Sequence, residues 1–126
     1  MECVNPLVTK FAINNAPAAN TAATISQSAA AGLRHVCTGF CATLSNGAVA
    51  AAGTATLNLR DGATGAGTLL WTMDFNIPAT AGSAQSVAVG GLFIVGSTNT
   101  AMTLEFAGAG GANTTEKVNL CGFDLV

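Results

Sequence analysis

The chain has 126 residues, half of them apolar and only 8% charged, with a formal net charge of −2. That length fits one domain with a core of its own. Four scattered cations, one His and no Tyr speak against a phosphate-neutralising nucleic-acid surface, and no apolar run reaches the roughly 18 residues of a membrane span.

Residues 1–20 read as an N-terminal arm. Asn5-Pro6 and Ala16-Pro17 interrupt it, Asn14-Asn15 favours a turn, and only Leu7 to Ile13 is suited to strand pairing. Leu7, Val8, Phe11 and Ile13 are its apolar residues and the candidate contacts to a partner. The opening MECVNPLVTKF lacks the architecture of a signal peptide, which leads to the expectation of a protein used without export through a cleaved leader. Residues 21–32 fit either one helical turn over the Ala run or a strand that bends at Gly32. From His35 the chain alternates, with Val36, Thr38, Phe40, Ala42 and Leu44 on one side, and Ser45-Asn46-Gly47 has the chemistry of a tight hairpin turn.

Ala55, Leu57 and Leu59 predict the next strand, and the glycine-rich loop 61–67 reverses it. Leu69, Trp71, Met73, Phe75 and Ile77 form the longest apolar face in the chain, ended by Pro78. Val87 and Val89, then Leu92 to Val95, then Met102, Leu104 and Phe106, and finally Val118 to Leu125 complete the pattern. About eight short strands with turn signals every 8 to 12 residues predict an all-β fold, a two-sheet antiparallel sandwich resembling a jelly roll, over residues 21–126.

The chemistry-bearing residues are sparse and isolated. Cys37 and Cys41 share a strand face some 13 Å apart, too far to bridge each other, though either is able to meet Cys121 from a neighbouring strand. With Cys3 they make a poor zinc pattern, and four small buried hydrophobes are the favoured reading. The glycines of loop 61–67 lack the order of a dinucleotide fingerprint. The single His35 reads as structural, and Asp74 and Glu105 read as markers of solvent-facing or edge positions. Trp71, in register with Met73 and Phe75, reads as core rather than as a sugar platform. No enzymatic activity, metal or cofactor is expected.

The segments LRHVCTGFCATL (33–44), LRDGATGAGTLLW (59–71), GLFIVGSTNTAMTLEFAGAG (91–110) and VNLCGFDLV (118–126) resemble a group of small tailed-phage virion proteins of the capsid decoration, or cement, type. The resemblance covers roughly residues 20–126. It implies a protein on the outer surface of an assembled head, made in the bacterial cytoplasm, whose partners are the major capsid protein and copies of itself. Those copies would form a trimer ahead of a dimer. Cys41 and Cys121 stand where such relatives are expected to carry other residues, which singles this pair out as a candidate cross-strand disulfide of this chain. Two other classes share the composition, an exported surface or pilus-type subunit and a carbohydrate-binding sandwich module.

Overall fold

The computed structural model describes residues 9–77 and 79–126, and within them the fold is all-β. Nine strands form: β1 (Lys10–Asn15), β2 (Thr24–Gln27), β3 (Arg34–Asn46), β4 (Gly53–Asp61), β5 (Thr68–Ile77), β6 (Ala84–Val89), β7 (Ile94–Val95), β8 (Met102–Phe106) and β9 (Thr114–Leu125). They make two antiparallel sheets. One has the order β1-β9-β3-β6 with β7 also paired to β3, and the other has the order β2-β8-β4-β5. Among the described residues no helix is long and apolar enough to cross a membrane.

The pairings are nested, β1 with β9, β2 with β8, β3 with β6 and β4 with β5. The chain is therefore one long doubled-back ribbon rolled so that successive strand pairs fall alternately in the two sheets, which is the jelly-roll topology. Only β4–β5 is a local hairpin. Asn46-Gly47 does not close one, because β3 and β4 lie in different sheets and the chain crosses between them at residues 47–52. A turn sequence fixes local curvature, but the sheet in which the next strand lands depends on where its apolar face is buried.

The core lies between the sheets. Phe40, Ala42, Leu44, Val118 and Leu120 come from one side, and Ala55, Leu57, Leu59, Phe75, Met102, Leu104 and Phe106 from the other. Alternation explains most of these positions, and two bulges explain the exceptions. Between Cys37 and Gly39 the register of β3 on β9 shifts by one residue, so His35 and Cys37 face inward before the bulge and Phe40 after it. Val36 and Thr38 consequently do not share the face of Phe40. Between Leu59 and Arg60 the register on β5 also shifts, because Trp71 and Leu69 oppose consecutive β4 residues. Leu70 is thereby turned onto the core and Leu69 outward, half exposed, so the apolar face of β5 runs from Trp71 to Ile77.

The hairpin loop 61–67 relies on a glycine at its end. Gly67 has a φ of 81°, and a Cβ there would collide with the Asp61 carbonyl oxygen and lie 2.8 Å from the Gly62 Cα. Only a residue without a side chain lets the two strands leave the loop this close together.

Candidate interaction surface

The residues of the expected arm divide at the start of the described chain. Lys10 to Asn15 form β1, an edge strand paired with β9 along its length. Phe11 and Ile13 face inward and pack on the core, with the Phe11 ring set edge-on to His35 at 5.9 Å. These two side chains are thus part of the sandwich. Leu7 and Val8 lie outside the described residues.

The charged residues are mostly structural. His35 is buried, its Nδ1 2.6 Å from Asp124 Oδ1 and its Nε2 2.8 Å from the Ser28 carbonyl oxygen, so both ring nitrogens are engaged. This pair ties β3 to the end of β9. Glu105 is not on a solvent face: it is 2% exposed and ion-paired with Arg60 Nε, while its second oxygen accepts the Gly65 N–H at 2.9 Å. The cause is tertiary. Loop 61–67 folds back over β8, so an outward-pointing residue of that strand is covered by the loop. Thr103 helps hold it down by donating to the Gly62 carbonyl oxygen at 2.7 Å. Asp74 is exposed as expected and accepts from Thr56 Oγ1 at 2.7 Å. Asp61 anchors the 96–101 segment by accepting from the N–H and hydroxyl of Ser97.

Glu116 is buried on the inward face of β9, between Thr114 and Val118. Its Oε2 accepts the Ala23 N–H at 2.9 Å, whereas Oε1 has no hydrogen-bond partner. Burial pushes its carboxyl above the ordinary value of 4.5, only partly offset by the Ala23 N–H. No group of three or more His, Cys, Asp or Glu among the described residues is arranged to hold a metal ion.

The three described cysteines are free thiols. Cys121 lies opposite Gly39 and Asn119 lies opposite Cys41, so the two outward thiols are neighbours one pleat out of register. The expected Cys41–Cys121 disulfide is therefore not formed: diagonal positions on adjacent strands stand about 7–8 Å apart, beyond the roughly 4 Å Cβ separation of a bridge. Cys37, by contrast, faces inward, and burial pushes its thiol up to about 11, while its Sγ donates to the Gly39 carbonyl oxygen at 3.7 Å. It is a small core hydrophobe with no reactive thiolate at neutral pH.

The two outer faces of the sandwich differ sharply. On the four-stranded sheet, polar side chains satisfy one another: Ser26 with Thr103 at 2.8 Å, Thr72 donating to Asn58 Oδ1 at 2.8 Å, Thr56 with Asp74, and Arg60 with Glu105. On the five-stranded sheet many of the outward positions are small and uncharged, among them Ala12, Ala84, Ala88, Cys41 and Cys121. Ala88, Cys41 and Cys121 help frame a shallow depression of about 340 Å³, lined also by Gly39, Phe40 and Val89. Gly39 opens it, since a Cβ there would stand 2.8 Å from the Val89 carbonyl oxygen. On the same face Phe93, 66% exposed, packs tilted against Phe123 at 6.0 Å with Val95 close in sequence. The unalternating run Leu92 to Val95 carried this signal, because a strand with one solvated face does not present four apolar residues in succession.

Neither a protein-family model nor a curated protein matches the chain. Among solved structures it is similar to a Nora virus structure (11% identity, 97% of this chain and 58% of that chain, TM-score 0.34). It is also similar to the tobacco streak virus coat protein (6% identity, 93% and 88%, TM-score 0.34). A third similarity is to Bacillus endospore appendages described as disulfide-linked pili (21% identity, 95% of each chain, TM-score 0.30). The chain spans under two-thirds of the Nora virus chain.

Proposed function

We propose that this protein is a non-enzymatic virion component, a decoration protein that binds the outer surface of an assembled tailed-phage head and strengthens contacts between major capsid subunits. The observation that supports it is the contrast between the two outer faces, one with its polar groups mutually satisfied and the other carrying an apolar depression and an exposed Phe93. An exposed apolar patch on a small, scarcely charged domain is a surface that a partner covers. The buried titratable groups among the described residues hold strands and loops together. The segments quoted above that resemble decoration proteins coincide with structural devices: 59–71 contains the hairpin loop that covers Glu105, and 91–110 contains Phe93 and Glu105 itself.

Binding the assembled lattice and not its dissociated subunits would stabilise the shell by mass action, and engagement of two subunits by one decorating unit would multiply a weak contact. Self-association as a trimer belongs to the same reading, with a solution mass near three times the 12.4 kDa chain. The test is purification of virions from the phage or prophage that encodes the chain, with its copy number measured against the major capsid protein and the melting of heads compared with and without it. A copy number matching lattice symmetry and a higher head melting temperature are expected. Absence from particles, or recovery in extracellular fibres instead, overturns the proposal. Deletion of residues 1–8, which leaves β1 whole, asks whether Leu7 and Val8 grip the lattice: the arm contact requires lower occupancy.

A further inference from the structure

The described cations are divided unequally between the faces. Arg60 is committed to Glu105 and His35 to Asp124. The other three, Lys10, Arg34 and Lys117, are exposed, and strand register puts all of them on the outer side of the five-stranded sheet, opposite Phe123, Leu125 and Thr43 respectively. Arg34 Nε donates to Thr98 Oγ1 at 3.1 Å, which ties that side chain to the segment after β7. The same register leaves this face without a described carboxylate side chain. Glu116 and Asp124 occupy the inward positions of β9, and Asp61, Asp74 and Glu105 belong to the four-stranded sheet.

We infer that the outer face of the five-stranded sheet docks an acidic protein surface, one with an apolar centre and carboxylates around it. Its identification as the capsid-facing side rests on the function proposed above, whereas the chemistry rests on the face itself. Lys10 and Arg34 flank the Phe93–Phe123 pair at one end, and Lys117 stands six residues along β9 from Phe123 at the other. That is about 20 Å of strand across four strands spaced about 4.8 Å apart, a footprint on the order of 400 Å². A standard stable interface takes roughly 800 Å² from each partner, so a single copy would bind weakly, as a component repeated over a lattice can. Charge also decides against a second copy as the occupant. Symmetric pairing of this face with itself would oppose like charges, and the opposite face offers Asp74 as its exposed carboxylate among the described residues.

Cys121 is exposed on this face and reports its coverage. The native protein, free and bound to heads of the encoding phage, is treated with N-ethylmaleimide and the labelled thiols are located by mass spectrometry. Cys121 should label at least about tenfold more slowly on heads than in solution, because a covered thiol is shielded from the reagent. Lys10→Glu combined with Lys117→Glu should lower occupancy about tenfold with unchanged circular dichroism, and Asp74→Lys should not. Adsorption to succinylated albumin at about 0.05 M salt, released by about 0.5 M, tests the chemistry without heads and should protect Cys121 equally. Free-rate labelling of Cys121 on both surfaces, or occupancy lost in Asp74→Lys but kept in the double Lys variant, overturns the inference. Protection on succinylated albumin with no binding to heads supports the face and defeats the capsid reading.

Discussion

Glu105→Ala is the perturbation on which sequence and structure disagree most. As an outward-facing strand residue exposed to water it would change stability by no more than about 0.5 kcal/mol. In the structure its carboxylate is 2% exposed on the side chain, paired with an Arg60 that is 16% exposed, and accepts the Gly65 N–H. Removing one member of a buried ion pair costs about 3–5 kcal/mol, and the access of Arg60 to water places this case at the lower end. A domain of this size melts about 3–5 °C lower for each kcal/mol lost, so the variant should melt about 10–15 °C below wild type. Glu105→Gln keeps an acceptor toward only one of Arg60 and Gly65 and faces the other with its NH2 group, so it should lose about 1.5–3 kcal/mol, less than Ala. Asp74→Ala, exposed and bonded to Thr56, is the control and should stay within about 0.5 kcal/mol of wild type. Thermal and urea melts followed by circular dichroism measure all three. If Glu105→Ala melts within the error of Asp74→Ala, the clamp on loop 61–67 contributes nothing and the reasoning is refuted.

Phe75→Ala, which empties a site 2% exposed and packed edge-on against Phe106 at 5.4 Å, should cost about 3–5 kcal/mol in urea melts. Trp71→Ala removes a half-buried ring set edge-on to Phe40 at 4.7 Å and should cost less than Phe75→Ala; the reverse order would disprove the assignment of Phe75 to the deeper core. The carboxyl of Glu116 is raised in the folded state, so the stability linked to it is full below the unfolded value of 4.5 and declines as pH rises through the folded one. Glu116→Gln should flatten that decline, and parallel stability-versus-pH curves for the two proteins would exclude it. Gly122→Ala would drive a Cβ into the Val36 carbonyl oxygen and to 2.6 Å from the Phe11 ring, so soluble expression should collapse, and a variant melting like wild type would show that β1 and β3 can move apart.

Much of the sandwich was legible in the chain. Alternation at Leu57, Leu59, Met102, Leu104 and Phe106 gave their inward face correctly, because period-two patterning follows directly from strand geometry and burial. The loop at 61–67 was equally legible from its glycines. Tertiary packing decided the remainder. Bulges at Thr38 and Leu70 changed which neighbours face the core, and a bulge is set by the partner strand rather than by local composition. Asn46-Gly47 carried hairpin chemistry yet joined two sheets, and Glu105 carried a solvent signature yet was covered by a loop 40 residues away. Most of all, the gathering of Lys10, Arg34 and Lys117 on one face depends on β1 and β3 pairing with opposite edges of β9. The sequence alone determined how few charges the protein has; the pairing of distant strands determined that the exposed positive ones share a surface.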